Sequence, residues 1–384
     1  MATQEHPVPS KRKPTRPTVA EIDLGAIAHN VCLIRQTVGP KVKIMTVVKA
    51  NAYGHGLTEV GQFLEKRFAD YFGVAFPEEG KRLRESGIRK PIHIATLPAK
   101  SQADLYYDFR LEPSICSAVE ARILNSAARG RRRTLPCHIK IDTGMNRIGV
   151  RVHELGEFLS KIRRLRHLEI KGVYTHFATS DEQNKEFMRA QLAEFRLALE
   201  VLRKHHVSYD LAHAANSAAV FEEPDAHFDL VRPGIALYGL HPAKHMRPRL
   251  NLKPAMKLKT TVALVKWIDK GEGVSYGRTF IAPHRTQIAT LPVGYADGYS
   301  RQLSGQSFVL IHGKRFPIAG RVCMDQMMVD VGHSPVAAGD QAVLIGQEGG
   351  KSVDVWELAD MIGTIPYEIV CGISQRIPRT YVQP

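Results

Sequence analysis

Lys49 ends the run Thr46-Val47-Val48 and opens a turn-forming stretch, with Asn51, Gly54 and Gly56, in VVKANAYGHG. At the mouth of a buried strand, a free ammonium is costly unless it has work or a partner. Condensed with an aldehyde as a Schiff base, the same lysine is held covalently and is no longer a free ammonium. The plainer alternative is a strand-end lysine that snorkels to water. Tyr53 follows four residues later. Further on, polar groups again interrupt or end apolar runs: Lys140, Asp142 and Arg147 in HIKIDTGMNRIG, His176 in THFA, Asn216 and Ser217 in HAANSAA, and Arg232-Pro233-Gly234 in VRPGIALYG.

Short apolar runs that read as strands must position these residues: 43–50, 71–76, 91–95, 112–115, 137–142, 170–177, 209–213 and 230–237. Helical stretches separate them. The clearest is 183–204, where Phe187, Leu192, Phe195, Leu199 and Leu202 form one stripe. Eight strands alternating with helices is the pattern of a (β/α)8 barrel, whose active site lies at the C-terminal ends of the strands. Every polar residue named above then falls on one rim. Any one of them is explained as a satisfied core group; the whole set on one rim is not. The rival, an open doubly wound sheet, lacks a GxGxxG fingerprint at its first helix. From about Leu252 strand-like runs are joined by turn dipeptides, and helical periodicity nearly vanishes apart from 355–362. The expected organisation is a basic, loose tail over 1–17, a barrel over 18–251 and a mostly-β domain over 252–384. The stretch 18–24 could add a strand to the β domain.

Composition narrows the class. The chain has 384 residues, 44% of them hydrophobic, and no run approaches the length of a membrane span. The tail lacks the apolar segment of a secretory signal. Five scattered cysteines, never in a CxxC pair, fit reduced thiols in a cytoplasmic protein and not a disulfide frame or a metal site. The net charge of +15 invites a nucleic-acid reading, but its clusters (11–16, 129–133 and 163–166) lie in the tail and in helix ends or connectors, with little aromatic interleaving. Solvated surface that also gathers anionic small molecules explains them better.

VVKANAYGHG, HIKIDTGMNRIG, VSYG, VGYADGY and GRVCMDQ together resemble the alanine racemase family, the pyridoxal-phosphate enzymes of fold type III, from about Thr18 to Arg379. The resemblance implies an N-terminal barrel, a C-terminal β domain, a head-to-tail homodimer and interconversion of L- and D-alanine in a bacterial cytosol. It implies that Lys49 anchors pyridoxal 5'-phosphate and serves as a base on one face of Cα. It implies cofactor contacts from Tyr53, His176, Asn216, Ser217, Arg232, Gly234 and Ile235. Arg147, Met324, Tyr295 and Asp325 are implied at the substrate, and Lys140 is implied to carry a carbamate. Tyr276 is implied as the second base, reaching with Tyr295, Arg321, Met324 and Asp325 into the partner's site.

Residue chemistry agrees with that transfer. Ser217 stands where a strand passes into a helix, so its hydroxyl and nearby amides suit a phosphate, and Gly234 lets backbone come close to the same group. Arg232 is the most informative residue. A guanidinium is always protonated and donates to an unprotonated ring nitrogen, which restrains the electron sink that a carboxylate partner would strengthen. Proton removal and return tolerates this, and Arg232, with the GYADG and CMDQ blocks, disfavours the rival reading of a decarboxylase sharing the barrel. A plain Lys140–Asp142 ion pair is the alternative to a carbamate. A tyrosine titrates at about 10, so Tyr276 needs help as a base, and His176 and Arg232 are the available helpers. Gln375 in ISQRIPR departs from family members with tyrosine there, so the aromatic wall at that corner is missing. A racemase with broader taste, for serine or basic amino acids, is the related alternative; a binding module using the basic surface is the non-enzyme one.

Overall fold

The computed structural model describes residues 15–128, 131 and 133–383. They form two compact units: Asp23–Ala255, and Met256–Val382 together with the described residues before Asp23.

The first unit is built on eight parallel strands: β1 (Lys43–Val47), β2 (Tyr71–Val74), β3 (Ile92–Ile94), β4 (Glu112–Ile115), β5 (Leu135–Asp142), β6 (Leu168–Tyr174), β7 (Leu211–His213) and β8 (Leu230–Val231). Each pairs with the next in sequence from β1 to β7, and β8 pairs with β1. Between β7 and β8, Asp229 N donates to Ala212 O at 3.1 Å and Arg232 N to Ala215 O at 2.9 Å, so the barrel is nearly closed. Strands covered by helices outside and packed inside are buried on both faces, and β2 and β4 are buried throughout.

Several expected bounds shift: the first strand, expected over 43–50, ends at Val47, and the sixth, expected over 170–177, is Leu168–Tyr174. The eighth strand was expected to run through 237, but it ends at Val231. Pro233 lacks an N–H for a ladder bond, its carbonyl instead accepts from Val47 N at 3.1 Å, and Ile235–Tyr238 coil into a 3-10 turn. The long helix is Glu186–Lys204, three residues shorter than expected, with Met188, Gln191, Leu192, Phe195, Ala198 and Leu202 buried. Phe187 lies off that stripe and is 47% exposed.

The second unit is mostly β. Its larger sheet carries Phe308–Ile311, Lys314–Pro317, Gln341–Glu348, Met256–Thr261, Val19–Asp23 and Arg379–Val382. Val19–Asp23 pairs antiparallel with Met256–Thr261. A three-stranded sheet joins Leu264–Ile268, Thr286–Leu291 and Met327–Gly332. Beside Val355–Met361 there is a second helix, Pro366–Gly372, that periodicity missed.

Of the expected loose tail, residues 1–14 lie outside the described residues. Arg16 is not loose: it reaches buried Asp297 at 2.6 Å and the carbonyls of Pro292 and Arg376. In the 129–133 cluster, Arg129 and Arg132 are outside the described residues. Arg131 bridges Asp104 and Asp108, both at 2.8 Å, and so braces the short helix Ala103–Asp108 before β4. None of the five cysteines is in a disulfide. No helix among the described residues is long and apolar enough to cross a membrane.

Candidate active site

Lys49 follows fully buried Val48 at the C-terminal end of β1 and is exposed. The strand-mouth position is as the sequence reads, but the side chain is not shut away. After it the chain makes one turn of left-handed helix: Ala50, Asn51, Ala52 and Tyr53 have φ of 52°, 55°, 54° and 52°. Each such residue costs about 1–2 kcal/mol in an L-amino-acid chain, so neighbours must hold the turn. Ala50 N donates to Glu79 Oε1 at 2.7 Å, and the other Glu79 oxygen accepts from Ala75 N and Phe76 N after β2. Asn51 Oδ1 accepts from Leu57 N at 3.0 Å. Lys49 thereby has a fixed departure point on the rim.

Around the rim, Tyr53, Ser217 and Gly234 converge. Ser217 Oγ accepts from Gly234 N at 2.8 Å, and a Cβ on Gly234 would lie 2.4 Å from the Tyr53 hydroxyl. Asn216 caps the helix that Ser217 begins, accepting from Ala219 N at 3.2 Å and from Ser180 Oγ at 2.9 Å. Ile235 is buried at the start of the adjoining 3-10 turn. Two hydroxyls and backbone N–H groups, with no carboxylate among them, form a cradle that only glycine leaves open. That is a donor set for a phosphate.

Arg232 is 8% exposed. Its Nη2 donates to Thr175 O at 2.7 Å and Ala214 O at 3.0 Å, with His176 Nδ1 at 3.4 Å. Its Nη1 donates to His213 Nδ1 at 2.9 Å. Among the described residues it has no carboxylate partner. Burial pushes its pKa down to about 10, still a cation at neutral pH. His176 is held well below the ordinary histidine value by burial, then by the charges of Arg232, Arg147, Lys140 and Lys49. Burial and these positive charges together favour the neutral imidazole.

Lys140 is 2% exposed, and its pKa falls to about 7, first by burial and then by Arg232. The alternative ion pair with Asp142 is not made. Lys140 Nζ donates to Ile141 O at 2.6 Å, and Asp142 Oδ1 accepts from Gly144 N and Asn146 N. Arg147 is exposed beyond that turn.

In the second unit the three remaining motifs meet. Ser275 Oγ donates to Arg321 O at 2.7 Å, Tyr295 N to Cys323 O at 2.9 Å and Ala296 N to Met324 O at 3.0 Å. A Cβ on Gly294 would lie 2.2 Å from Cys323 O, so the GYADG turn is pressed against the CMD loop. The assembly leaves Tyr276, Met324 and Tyr295 exposed by 72%, 53% and 41%. Asp325 is tied to Arg376 at 2.7 Å, and Gln375 is exposed beside it.

The model of the alanine racemase N-terminal domain matches residues 22–242, and that of the C-terminal domain matches 255–381. The chain belongs to the alanine racemase family. It is 44% identical to the alanine racemase of Halothermothrix orenii, over 96% of this chain and 97% of that one. It is 45% identical to that of Symbiobacterium thermophilum, over 95% and 97%. Among solved structures, the alanine racemase of Bacillus anthracis with bound L-Ala-P superimposes with a TM-score of 0.93 at 37% identity, covering 97% of this chain and 96% of that one.

Within this racemase fold, sequence reasoning missed two acidic residues. Glu79 holds the left-handed turn, and Glu112 is buried inside the barrel. Glu79 carried a faint signal, since a glutamate three residues after Phe76 in FPEE marks the start of a helix. Glu112 carried only the oddity of a carboxylate opening an apolar strand.

Proposed function

We propose that the chain is an alanine racemase that uses pyridoxal 5'-phosphate on the barrel rim and works as a homodimer. The observation that carries the reading is Arg232: a buried guanidinium held by acceptors, without a carboxylate partner among the described residues, on the rim that also carries Lys49 and the phosphate-type cradle. When bound, the cofactor supplies an electron-withdrawing conjugated ring that acidifies Cα–H of an attached amino acid. Lys49 would hold it through its amine and then exchange a proton at Cα from one face. Tyr53, Ser217 and the backbone at Gly234 and Ile235 would grip the phosphate, with Asn216 fixing the helix from which Ser217 projects.

Arg232 would donate to the ring nitrogen. A guanidinium does not take up a proton, so Arg232 would leave that nitrogen unprotonated. This favours returning the proton over transamination. Neutral His176 would pack beside the ring without adding charge. Lys140, whose pKa burial lowers to about 7, would offer CO2 an unprotonated amine as a nucleophile. Its nitrogen would bond the carbon, a C=O electron pair would move to oxygen, and a proton would leave. The resulting carbamate would pair with Arg147, orienting it toward the substrate carboxylate, to which Met324 would donate a backbone N–H.

Removing and returning a proton on opposite faces needs a second group, and Tyr276 suits it. We place Tyr276 over the cofactor of a partner subunit, with Tyr295 and Asp325 narrowing the entry to favour a small side chain. Exposure of Tyr276, Met324 and Tyr295 together supports an interface there.

The test supplies the purified chain with pyridoxal 5'-phosphate and measures D-alanine formed from L-alanine, beside L-serine, L-lysine and L-arginine. Borohydride reduction followed by peptide mapping locates the cofactor. We expect preferred turnover of alanine and a label on the peptide containing Lys49. Absence of racemisation, or a label on another lysine, would contradict the reading.

A further inference from the structure

Inside the barrel a row of polar side chains leads to Arg232, and the members behind it, Glu112, His138 and His213, have none of these roles. Glu112 opens β4, His138 lies within β5, His213 ends β7 and Arg232 follows β8. All four are buried. His138 Nε2 is 2.9 Å from Glu112 Oε2, His138 Nδ1 is 2.9 Å from His213 Nε2, and His213 Nδ1 is 2.9 Å from Arg232 Nη1. The row spans the interior from the N-terminal end of one strand to the C-terminal rim.

Chemistry fixes every proton along it. A guanidinium only donates, so His213 Nδ1 accepts. The proton of His213 is then on Nε2, which donates to His138 Nδ1. The proton of His138 is in turn on Nε2, which donates to Glu112. One neutral tautomer of each imidazole satisfies all three contacts, and a second proton on either ring would set two donors face to face. The backbone is shaped for this. Gly172 opposes His138 in the β5–β6 register, and a Cβ there would lie 2.2 Å from His138 Nδ1. The Tyr174 ring stacks on His213 at 5.0 Å and 4°. The charge of Glu112 is felt nearby: after burial, it is the next cause holding the Tyr71 phenol well above its ordinary value.

We infer that Glu112 is a positioning residue for the ring-nitrogen site: through His138 and His213 its carboxylate orients Arg232 and supplies the counter-charge that no directly bonded group provides. The inference rests on reading Arg232 as the donor to the cofactor. Distance is the point of the device. A carboxylate touching Arg232 would occupy the donor that the ring needs, whereas one placed two imidazoles away fixes the guanidinium and leaves it donating.

The test begins with nitrogen-15 NMR of histidine-labelled, full-length protein, with and without pyridoxal 5'-phosphate. At neutral pH His138 and His213 should each show an unprotonated Nδ1 and a protonated Nε2, the tautomers that the three contacts require. A protonated Nδ1 on either ring overturns the relay. Glu112→Gln keeps shape and an acceptor but removes the charge. It should lower kcat on the order of tenfold, as loss of an outer hydrogen-bonded partner does, with KM moved less than about twofold. A Gln variant with wild-type kcat overturns the positioning role. Arg232→Lys separates the two readings. Unchanged turnover and cofactor absorbance there would overturn the ring-nitrogen reading, and the positioning role with it, while the wild-type histidine signals still report the relay.

Discussion

Lys140 and Arg232 are two cations shut inside the barrel, 5.5 and 5.4 Å from the centre of the same Tyr174 ring. Burial and this like charge bring Lys140 to about 7, whereas in an unfolded chain it titrates at about 10.4. Between those values the unfolded chain holds a proton that the folded chain has released. Stability from this residue therefore rises with pH across that window, by up to about 1.4 kcal/mol per pH unit. In CO2-free buffer, wild type compared with Lys140→Met by denaturant unfolding should gain ground steadily as pH rises through the window. A difference that is flat with pH would mean that Lys140 is not held as a buried amine. Gly234 makes a second point at this scale. Gly234→Ala sets a methyl 2.4 Å from the Tyr53 hydroxyl, and overpacking of this kind costs about 1–3 kcal/mol. Affinity for pyridoxal 5'-phosphate should fall roughly ten- to a hundredfold, while affinity for pyridoxal, which lacks the phosphate, should barely change. Fluorescence titration of both ligands checks it.

The element that matters most is the left-handed turn over residues 50–53, because its strain sets where Lys49 leaves the rim. Glu79 accepts from Ala50 N as well as from two amides after β2. Glu79→Ala should cost about 2 kcal/mol, the scale of losing a charge-assisted hydrogen bond. It should also lower kcat at temperatures where the variant is fully folded, as denaturation and steady-state assays can separate. Normal kcat in a folded variant would show that the turn holds itself. Sequence could not reveal this element, since three of its four residues are alanine or tyrosine, which do not signal positive φ; Asn51 was the only hint. The rim itself was legible. Lys140, His176 and Arg232 each break an apolar run at a strand end, and strand–helix alternation puts such breaks on one face. Glu112 was not legible, because its partner His138, and His213 beyond it, come from strands distant in sequence. Phe187 misled for the opposite reason: one residue of error in helical phase turns a side chain by about 100°.

At the scale of the whole molecule, the chain carries two groups of chemical residues in two compact units: Lys49 and Arg232 in the barrel, Tyr276 and Met324 in the β unit. We propose that proton exchange on both faces of Cα draws one base from each group, the two bases coming from different subunits. Tyr276→Phe should keep the cofactor yet lose racemisation, most of all in the direction where the phenolate takes the proton. The most direct test mixes a Lys49→Ala chain with a Tyr276→Phe chain under conditions of subunit exchange. If the tyrosine acts on its partner's site, one site of each mixed dimer regains both wild-type residues while the other carries both lesions, and activity returns from two inactive parents. If activity stays absent although mixed dimers are shown to form, the shared active site is wrong.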